Sequence, residues 1–376
     1  MTGFLSDEKV VGWQSEQLFS RGQDYYQGLL LDISRAMTSI DLAVYIFEID
    51  NIGGRIKQAV EAAARRGVEV RLLIDGVGSA EAGETLAREL SAAGADVRIY
   101  HPLPWYLGDY RWSLRPGGAL EKLVHLVTSL NRRDHRKFCI IDNLSAWCGS
   151  FNISDVHLSE EHPWRDYAVR VTGEPIAVLR ANFDGVWFHR EQPLLSRDLR
   201  FCSSNASMRQ RRFNNIALVE RIDNARQRLW ICNAYFSPLG SVVRAIKRAK
   251  ARGVDVRLVV ADRSDVMVFP MLSATYYADL LKVGIAIFYY QAGMLHAKIM
   301  LVDQQCVVGS TNLNHRSFYH DLELDVVLSS PRLLQEAEQR IKEDMKNSRI
   351  SRLSDLSIVS RGFGFGWLLR IIRYWL

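Results

Sequence analysis

The sequence predicts an α/β protein built from one unit used twice: two mixed-sheet lobes, flanked by helices and related by a pseudo-twofold. Three observations carry this. Segments of helical and strand periodicity alternate along the chain. The stretch RIKQAVEAAARRGVEVRLLID (55–75) returns as VRAIKRAKARGVDVRLVVAD (243–262). HRKFCIID (135–142) returns as HAKIMLVD (296–303), with His, Lys and Asp at the same H-x-K-x4-D spacing. The chain has only nine histidines and ten lysines in 376 residues, so the second match demands a cause.

In order along the chain, IDLAVYIF (40–47) has strand composition, and an amphipathic helix, a glycine stop and the strand VEVRLLID follow it. DVRIYH (96–101) is the next strand, and then the first H-x-K-x4-D strand. The second half repeats the series as RLWICNAYF (228–236), the helix to Gly253, VDVRLVVAD, IAIFYY (285–290) and the second H-x-K-x4-D strand. Gly67 and Gly253 lie 186 residues apart but His135 and His296 only 161, so the first half carries 25 extra residues, placed in 102–130. The expected organisation is a lobe over 1–195, a polar, basic connector over 196–212, a second lobe over 213–355, and a basic amphipathic tail over 356–376.

Composition excludes several classes. Hydrophobic content of 48% and charged content of 24% belong to a folded globular chain, and 376 residues suffice for a large core. No run reaches the roughly 18–20 apolar residues of a membrane span, and MTGFLSDEKVVGWQ carries no signal-peptide pattern. The five cysteines are scattered and odd in number, so buried reduced thiols are expected rather than a disulfide framework. A net charge of +6 suits an anionic partner, lipid surface or nucleic acid.

Strand side chains alternate faces, so His135 shares a face with Lys137, and His296 with Lys298. Asp142 and Asp303 fall on the opposite face and are expected to anchor the strand ends by accepting hydrogen bonds. Small-residue turns follow each strand: Gly149, Ser150 and Asn152 match Gly309, Ser310 and Asn312. Ser150, Asn152, Ser310 and Asn312 are the candidate phosphate-binding groups, uncharged donors beside a glycine that permits close approach. Asp166 and Glu323 come next and are candidates for orienting the histidines, since a carboxylate on one ring nitrogen fixes which nitrogen faces a substrate. With the lobes face to face, two imidazoles, two ammonium groups and the turn donors suit a phosphate diester: one histidine attacks phosphorus and the other protonates the leaving alcohol. Neither copy offers clustered carboxylate or Cys/His ligands, so no metal and no cofactor is expected.

These motifs resemble the duplicated HKD motifs of the phospholipase D superfamily, and the layout is similar to bacterial cardiolipin synthases of the short type lacking N-terminal membrane helices. The resemblance spans nearly the whole chain, through GVEVRLLIDGVGS, WRDYAVRVTG, NAYFSP and LHAKIMLVDQQCVVGSTNLNHRS. It implies a duplicated phospholipase D-like fold and transfer of a phosphatidyl group to a phosphatidylglycerol hydroxyl through a phosphohistidine, with His135 the nucleophile. The sequence departs from related motifs at Asp134, where an apolar residue is frequent. Two other classes stay open: a phosphodiester hydrolase (phospholipase D or nuclease), because the same site accepts water, and a non-catalytic lipid- or nucleic-acid-binding module.

The tail SRGFGFGWLLRIIRYWL (360–376) mixes Trp, Leu and Ile with three arginines. It is either an interfacial helix or a terminal helix docked on the core, and its charge favours the interface. The extra segment, with Trp105, Tyr106, Tyr110, Trp112, Arg111 and Arg115, is either a lid or second interfacial contact over the cleft, or core. The expected partners are anionic phospholipids and the membrane surface, not nucleic acid, with peripheral localisation on the cytoplasmic face of a bacterial inner membrane.

Overall fold

The computed structural model describes residues 12–103, 112, 132–161, 163–188, 201–204, 207–266 and 269–356. The tail, and all of the extra segment's aromatic and basic residues except Trp112, lie outside them. Trp112 packs against the outer core of the first lobe.

The first sheet contains β1 (Trp13–Phe19), β2 (Ser39–Val44), β3 (Glu69–Asp75), β4 (Asp96–Tyr100), β5 (Phe138–Ile141), β6 (Ser145–Gly149) and β8 (Ala168–Gly173), in the order β1-β8-β6-β5-β2-β3-β4. A short β7 (Trp164–Arg165) lies outside it. The second sheet contains β9 (Cys202–Ser204), β10 (Arg228–Asn233), β11 (Asp255–Ala261), β12 (Ala286–Tyr290), β14 (Lys298–Val302), β15 (Gln305–Gly309), β16 (Leu324–Leu328) and β17 (Ser348–Ile350). Read from β9, its order is β9-β16-β15-β14-β10-β11-β12-β17, the first sheet's order with one strand added. In both sheets β2-β3-β4 and β10-β11-β12 run parallel, and the hairpins β5-β6 and β14-β15 join antiparallel. Two mixed sheets of one topology are the duplicated α/β fold that the repeats predict.

Outer helices cover each sheet: α1 (Gly22–Arg35), α2 (Asn51–Arg65) and α3 (Gly83–Ala92) on the first. The lobes meet over α4 (Ile176–Trp187). On the second sheet, α5 (Met208–Asn224), α6 (Gly240–Ala251) and α7 (Phe269–Lys282) pack outside, α8 (His315–Tyr319) is one short turn, and α9 (Pro331–Lys346) lies toward the interface. Helices α2 and α6 end at Gly67 (φ +90°) and Gly253 (φ +89°), a left-handed position that glycine takes without strain. Both glycines then lead straight into the repeated β-strands. The central core joins Phe138, Val169 and Phe183 of one lobe to Trp230, Leu301 and Val326 of the other, so neither lobe buries its inner face alone. Within the segment 196–212, Cys202–Ser204 forms the edge strand β9 of the second sheet and residues 208–212 open α5. All five cysteines are buried and none forms a disulfide.

Among the described residues no helix is long and apolar enough to cross a membrane.

Candidate active site

Each H-x-K-x4-D segment ends in the same anchor. Asp142 (φ +53°) and Asp303 (φ +46°) take the left-handed turn position that a short polar residue tolerates. Asp142 accepts from the backbone N–H groups of Met37, Thr38 and Ser39 and from the Thr38 hydroxyl, at 2.6–3.1 Å. Asp303 accepts from those of Arg226, Gln227 and Arg228 at 2.8–3.0 Å. These aspartates tie the end of β5 to the start of β2, and of β14 to β10, far from the chemistry. At the other end, the ladder of β5 starts only after Lys137, and that of β14 at Lys298. The preceding residues pair instead with the opposite lobe: His135 N–H donates to Leu322 O at 3.0 Å, and His296 N–H to Arg165 O at 2.9 Å. A two-stranded ribbon of β13 (Met294–Leu295) with β7 completes the crossing. Each histidine is thus carried by one lobe and fixed by the other.

The two carboxyls expected to orient the histidines cross over as well. His135 Nδ1 lies 3.1 Å from both oxygens of Glu323, and His296 Nδ1 lies 2.8 Å from Asp166 Oδ1. With Nδ1 engaged, Nε2 of each ring is the nitrogen left for a substrate. Lys137 Nζ donates to His135 O at 2.7 Å and Lys298 Nζ to His296 O at 2.5 Å, so each ammonium is bound to its own histidine's backbone. All four side chains are buried. Tyr45 and Tyr235, one after each repeated strand, wall the site: their rings lie 4.9 Å from His135 and 6.2 Å from His296, with Lys137 and Lys298 at 5.1 and 5.8 Å. Sequence reading passed over these two tyrosines, which sit one register position apart in the two quoted strand segments.

The turns divide their duties differently from the expectation. The Ser150 hydroxyl bonds Tyr167 O (3.2 Å) and Tyr167 N–H (3.1 Å). Ser310 donates to Glu323 Oε2 (2.5 Å) and accepts from Leu324 N–H (3.0 Å). Ser150 and Ser310, expected at the phosphate, act here as braces: each ties its G-S-x-N turn to the neighbouring strand. The glycines permit that contact, since a Cβ at Gly149 or Gly309 would run into the Tyr167 or Leu324 carbonyl. Asn152 and Asn312 are buried, and their Oδ1 atoms have no hydrogen-bond partner among the described residues. Asp134 is paired rather than stranded: its carboxylate receives Arg136 Nε and Nη2 at 2.7 and 2.6 Å, and Arg136 reaches Asn182.

Electrostatics follow from burial of so many cations together. Burial, then the charges of Lys137 and Lys298, hold His135 well below the ordinary histidine value. Burial and Lys298 bring His296 down to about 4 against the pull of Asp166. Burial lowers Lys137 to about 8. Burial, with Lys137 adding, lowers Lys298 to about 7. The carboxyls diverge. Burial raises Glu323 well above the glutamate range, with Lys137 and the Ser310 and Ser317 hydroxyls acting against it. Burial pushes Asp166 the same way, but the imidazoles of His296 and His157 outweigh it and hold Asp166 well below the aspartate range. Two buried lysines whose charge burial opposes are suited to receive an anionic phosphate between them.

His157 was not singled out in the sequence. Its signal is its register, five residues after Asn152, where the second half has Ser317 five residues after Asn312.

A family model described as "Cardiolipin synthase, PLD-like domain" matches residues 29–187 and 218–345. The chain is 28% identical over 337 residues to the cardiolipin synthase of Alkalihalophilus pseudofirmus, covering 85% of this chain and 63% of that protein. It is 27% identical over 388 residues to the cardiolipin synthase of Clostridium perfringens, covering 96% of this chain and 77% of that one. Among solved structures, the phosphatidylserine synthase of Haemophilus influenzae superposes with a TM-score of 0.70 at 13% identity, covering 97% of this chain and 96% of its own. At that identity the likeness speaks for the fold.

Proposed function

The chain belongs to the cardiolipin synthase, PLD-like domain family of the phospholipase D superfamily, and from that premise we propose that it is a phosphatidyltransferase making cardiolipin from phosphatidylglycerol. One observation carries the reading: two histidines, each carried by one lobe and oriented by a carboxyl of the other, meet beside two buried lysines. In the proposed reaction the diester phosphate lies among Lys137, Lys298 and the Asn152 and Asn312 amides. His135 attacks phosphorus through Nε2, the P–O bond to the departing glycerol breaks, and His296 gives its Nε2 proton to that oxygen. His296 then takes the proton of the acceptor hydroxyl, whose oxygen attacks phosphorus as the P–N bond to His135 breaks. Both histidines finish as they began.

The phosphate itself prepares the acid. An anion between the lysines offsets the Lys298 repulsion that, after burial, lowers His296, while ionised Asp166 remains behind it to hold the imidazolium. The basic, aromatic tail at 360–376 is proposed to hold the enzyme on anionic lipid at the cytoplasmic membrane face, each arginine contributing on the order of 1 kcal/mol near the surface. The test is to incubate purified protein with phosphatidylglycerol vesicles and identify the products by mass spectrometry. Cardiolipin plus glycerol is expected. Phosphatidic acid would mean hydrolysis instead, and no lipid turnover would sink the proposal.

A further inference from the structure

His157 is buried at the end of a one-turn helix, Asp155–His157, that follows the first G-S-x-N turn. Its two nitrogens do different things. Nε2 accepts the backbone N–H of Asn152 at 3.2 Å, so the ring proton sits on Nδ1. Nδ1 lies 3.0 Å from Asp166 Oδ2, off the line of a straight hydrogen bond. Asp166 Oδ1 meets His296 Nδ1, so one carboxylate lies between two imidazoles, one from each lobe. The Asn152 peptide is gripped on its other side too, its carbonyl accepting from the Tyr26 hydroxyl at 2.5 Å. Trp164 lies against both rings, 5.7 Å from His157 and 5.2 Å from His296, and keeps the group dry.

The second half builds the same position with a different residue. Ser317, likewise five after its asparagine and on a short turn capped by Asn314, donates to Glu323 Oε1 at 2.6 Å. At this position the scaffold delivers an imidazole behind His296 and a hydroxyl behind His135, where Ser310 adds a second hydroxyl to Glu323.

We propose that His157 is a positioning residue that holds Asp166 for His296, and that the His157/Ser317 difference assigns proton transfer to His296 and nucleophilic attack to His135. This rests on the phosphatidyltransfer reading above. The physical argument is one of charge. An imidazole N–H is a stronger donor than a hydroxyl and stabilises Asp166 as a full anion. A full anion is what an imidazolium needs behind it. By holding both Asn152 N–H and Asp166, His157 also ties the first phosphate-binding turn to the acid that must act on that phosphate's leaving group.

The experiment compares leaving groups in single turnovers. Release of glycerol from phosphatidylglycerol needs a proton; release of nitrophenolate from phosphatidyl-p-nitrophenol does not. His157→Phe is expected to slow glycerol release about 10- to 100-fold, part of the roughly 10²–10⁴ that a positioned general acid contributes, and nitrophenolate release less than about threefold on the same scale. Two closer variants separate the ring's two contacts and stand in if the phenylalanine protein does not fold. His157→Asn keeps an N–H where Nδ1 was and is expected to retain most glycerol release. His157→Gln keeps an acceptor where Nε2 was and is expected to resemble the phenylalanine variant. Equal loss with both leaving groups would make His157 a packing residue. Full activity in Gln with loss in Asn would assign it to Asn152 alone, and either result overturns the inference. If wild-type protein turns over neither lipid, the phosphatidyltransfer reading fails first and takes this one with it.

Discussion

Behind His296 stand Asp166 and then His157; behind His135 stand Glu323 and then Ser317 and Ser310. The backbone of the two halves is nearly interchangeable, strand for strand, and the anchors at Asp142 and Asp303 are the same device twice. What separates the halves is the polar residues behind each histidine. Burial raises both carboxyls; the imidazoles of His296 and His157 bring Asp166 down, whereas Lys137 and the Ser310 and Ser317 hydroxyls leave Glu323 raised. Duplication supplies a symmetric pair of histidines, but the proposed reaction needs an unsymmetric pair, one neutral nucleophile and one proton carrier. A few buried substitutions behind each ring provide that asymmetry without disturbing the fold.

The largest expected effects test this division directly. His135→Ala should lose on the order of 10⁴-fold or more in turnover, because groups acting as a unit fail together. It should do so whether the leaving group is glycerol or nitrophenolate. His296→Ala should lose as much with glycerol yet still release nitrophenolate once per active site, leaving phosphate trapped on His135. A trapped phosphopeptide containing His296 would invert the assignment. The carboxyls come next. Asp166→Asn should cost roughly 10²- to 10³-fold with the glycerol leaving group, within the contribution of general acid–base catalysis. Glu323→Gln, whose neighbours Ser310 and Ser317 can still hold an amide, should cost about tenfold on the same scale. Equal losses in the two variants would erase the proposed difference.

A smaller effect should show in the pH dependence. Lys298 and Lys137, at about 7 and about 8, carry their charge at low pH and lose it as pH rises through those values. With phosphatidyl-p-nitrophenol, whose release needs no proton from His296, kcat/KM should therefore fall above about pH 7, approaching tenfold per unit, well below the ordinary lysine range. Stability moves the other way. Between these values and the unfolded lysine value the unfolded chain binds more protons, so the lysine contribution to stability rises with pH. In Lys298→Arg, whose guanidinium does not titrate here, the limb should shift upward toward the value of Lys137, with lower overall activity from the larger planar group. A wild-type profile flat to pH 9 would show that these ammonium groups do not face the phosphate.

Much of this was legible in the sequence. The α/β class and the duplication followed from periodicity and from HRKFCIID and HAKIMLVD, because strand alternation and repeats are local signals. The anchoring aspartates were expected at the strand ends, but a left-handed turn beyond each strand, and not strand parity, sets their direction. The bracing bonds of Ser150 and Ser310 were not legible, because a hydroxyl beside glycine fits a phosphate cradle and a strand brace equally well, and Tyr167 and Leu324 come into reach only across the sheet. The crossing of Asp166 to His296 and of Glu323 to His135 depends on how the lobes dock, which no spacing encodes. His157 escaped notice for the same reason: its partner Asp166 is near in sequence, but the histidine that gives the pair meaning lies in the other lobe.

The smallest expected difference between the halves is at their anchors, and there it should vanish. Asp142 and Asp303 each collect three backbone N–H groups from the strand that opens their sheet's parallel part, β2 or β10. Against some burial, these donors hold both carboxyls below the aspartate value. Their stabilisation is thus fully present above the unfolded value and is lost as pH falls through the lowered folded one. Truncation strands partly hydrated N–H groups and removes charge-assisted bonds, so Asp142→Ala and Asp303→Ala should each cost about 2–3 kcal/mol. Neither should change the leaving-group preference of the enzyme, since both lie at the far ends of their strands. Urea melts of the two variants should give similar losses, shrinking together in acid. A loss confined to one variant would mean that the lobes differ in their frames as well as in the residues behind His135 and His296.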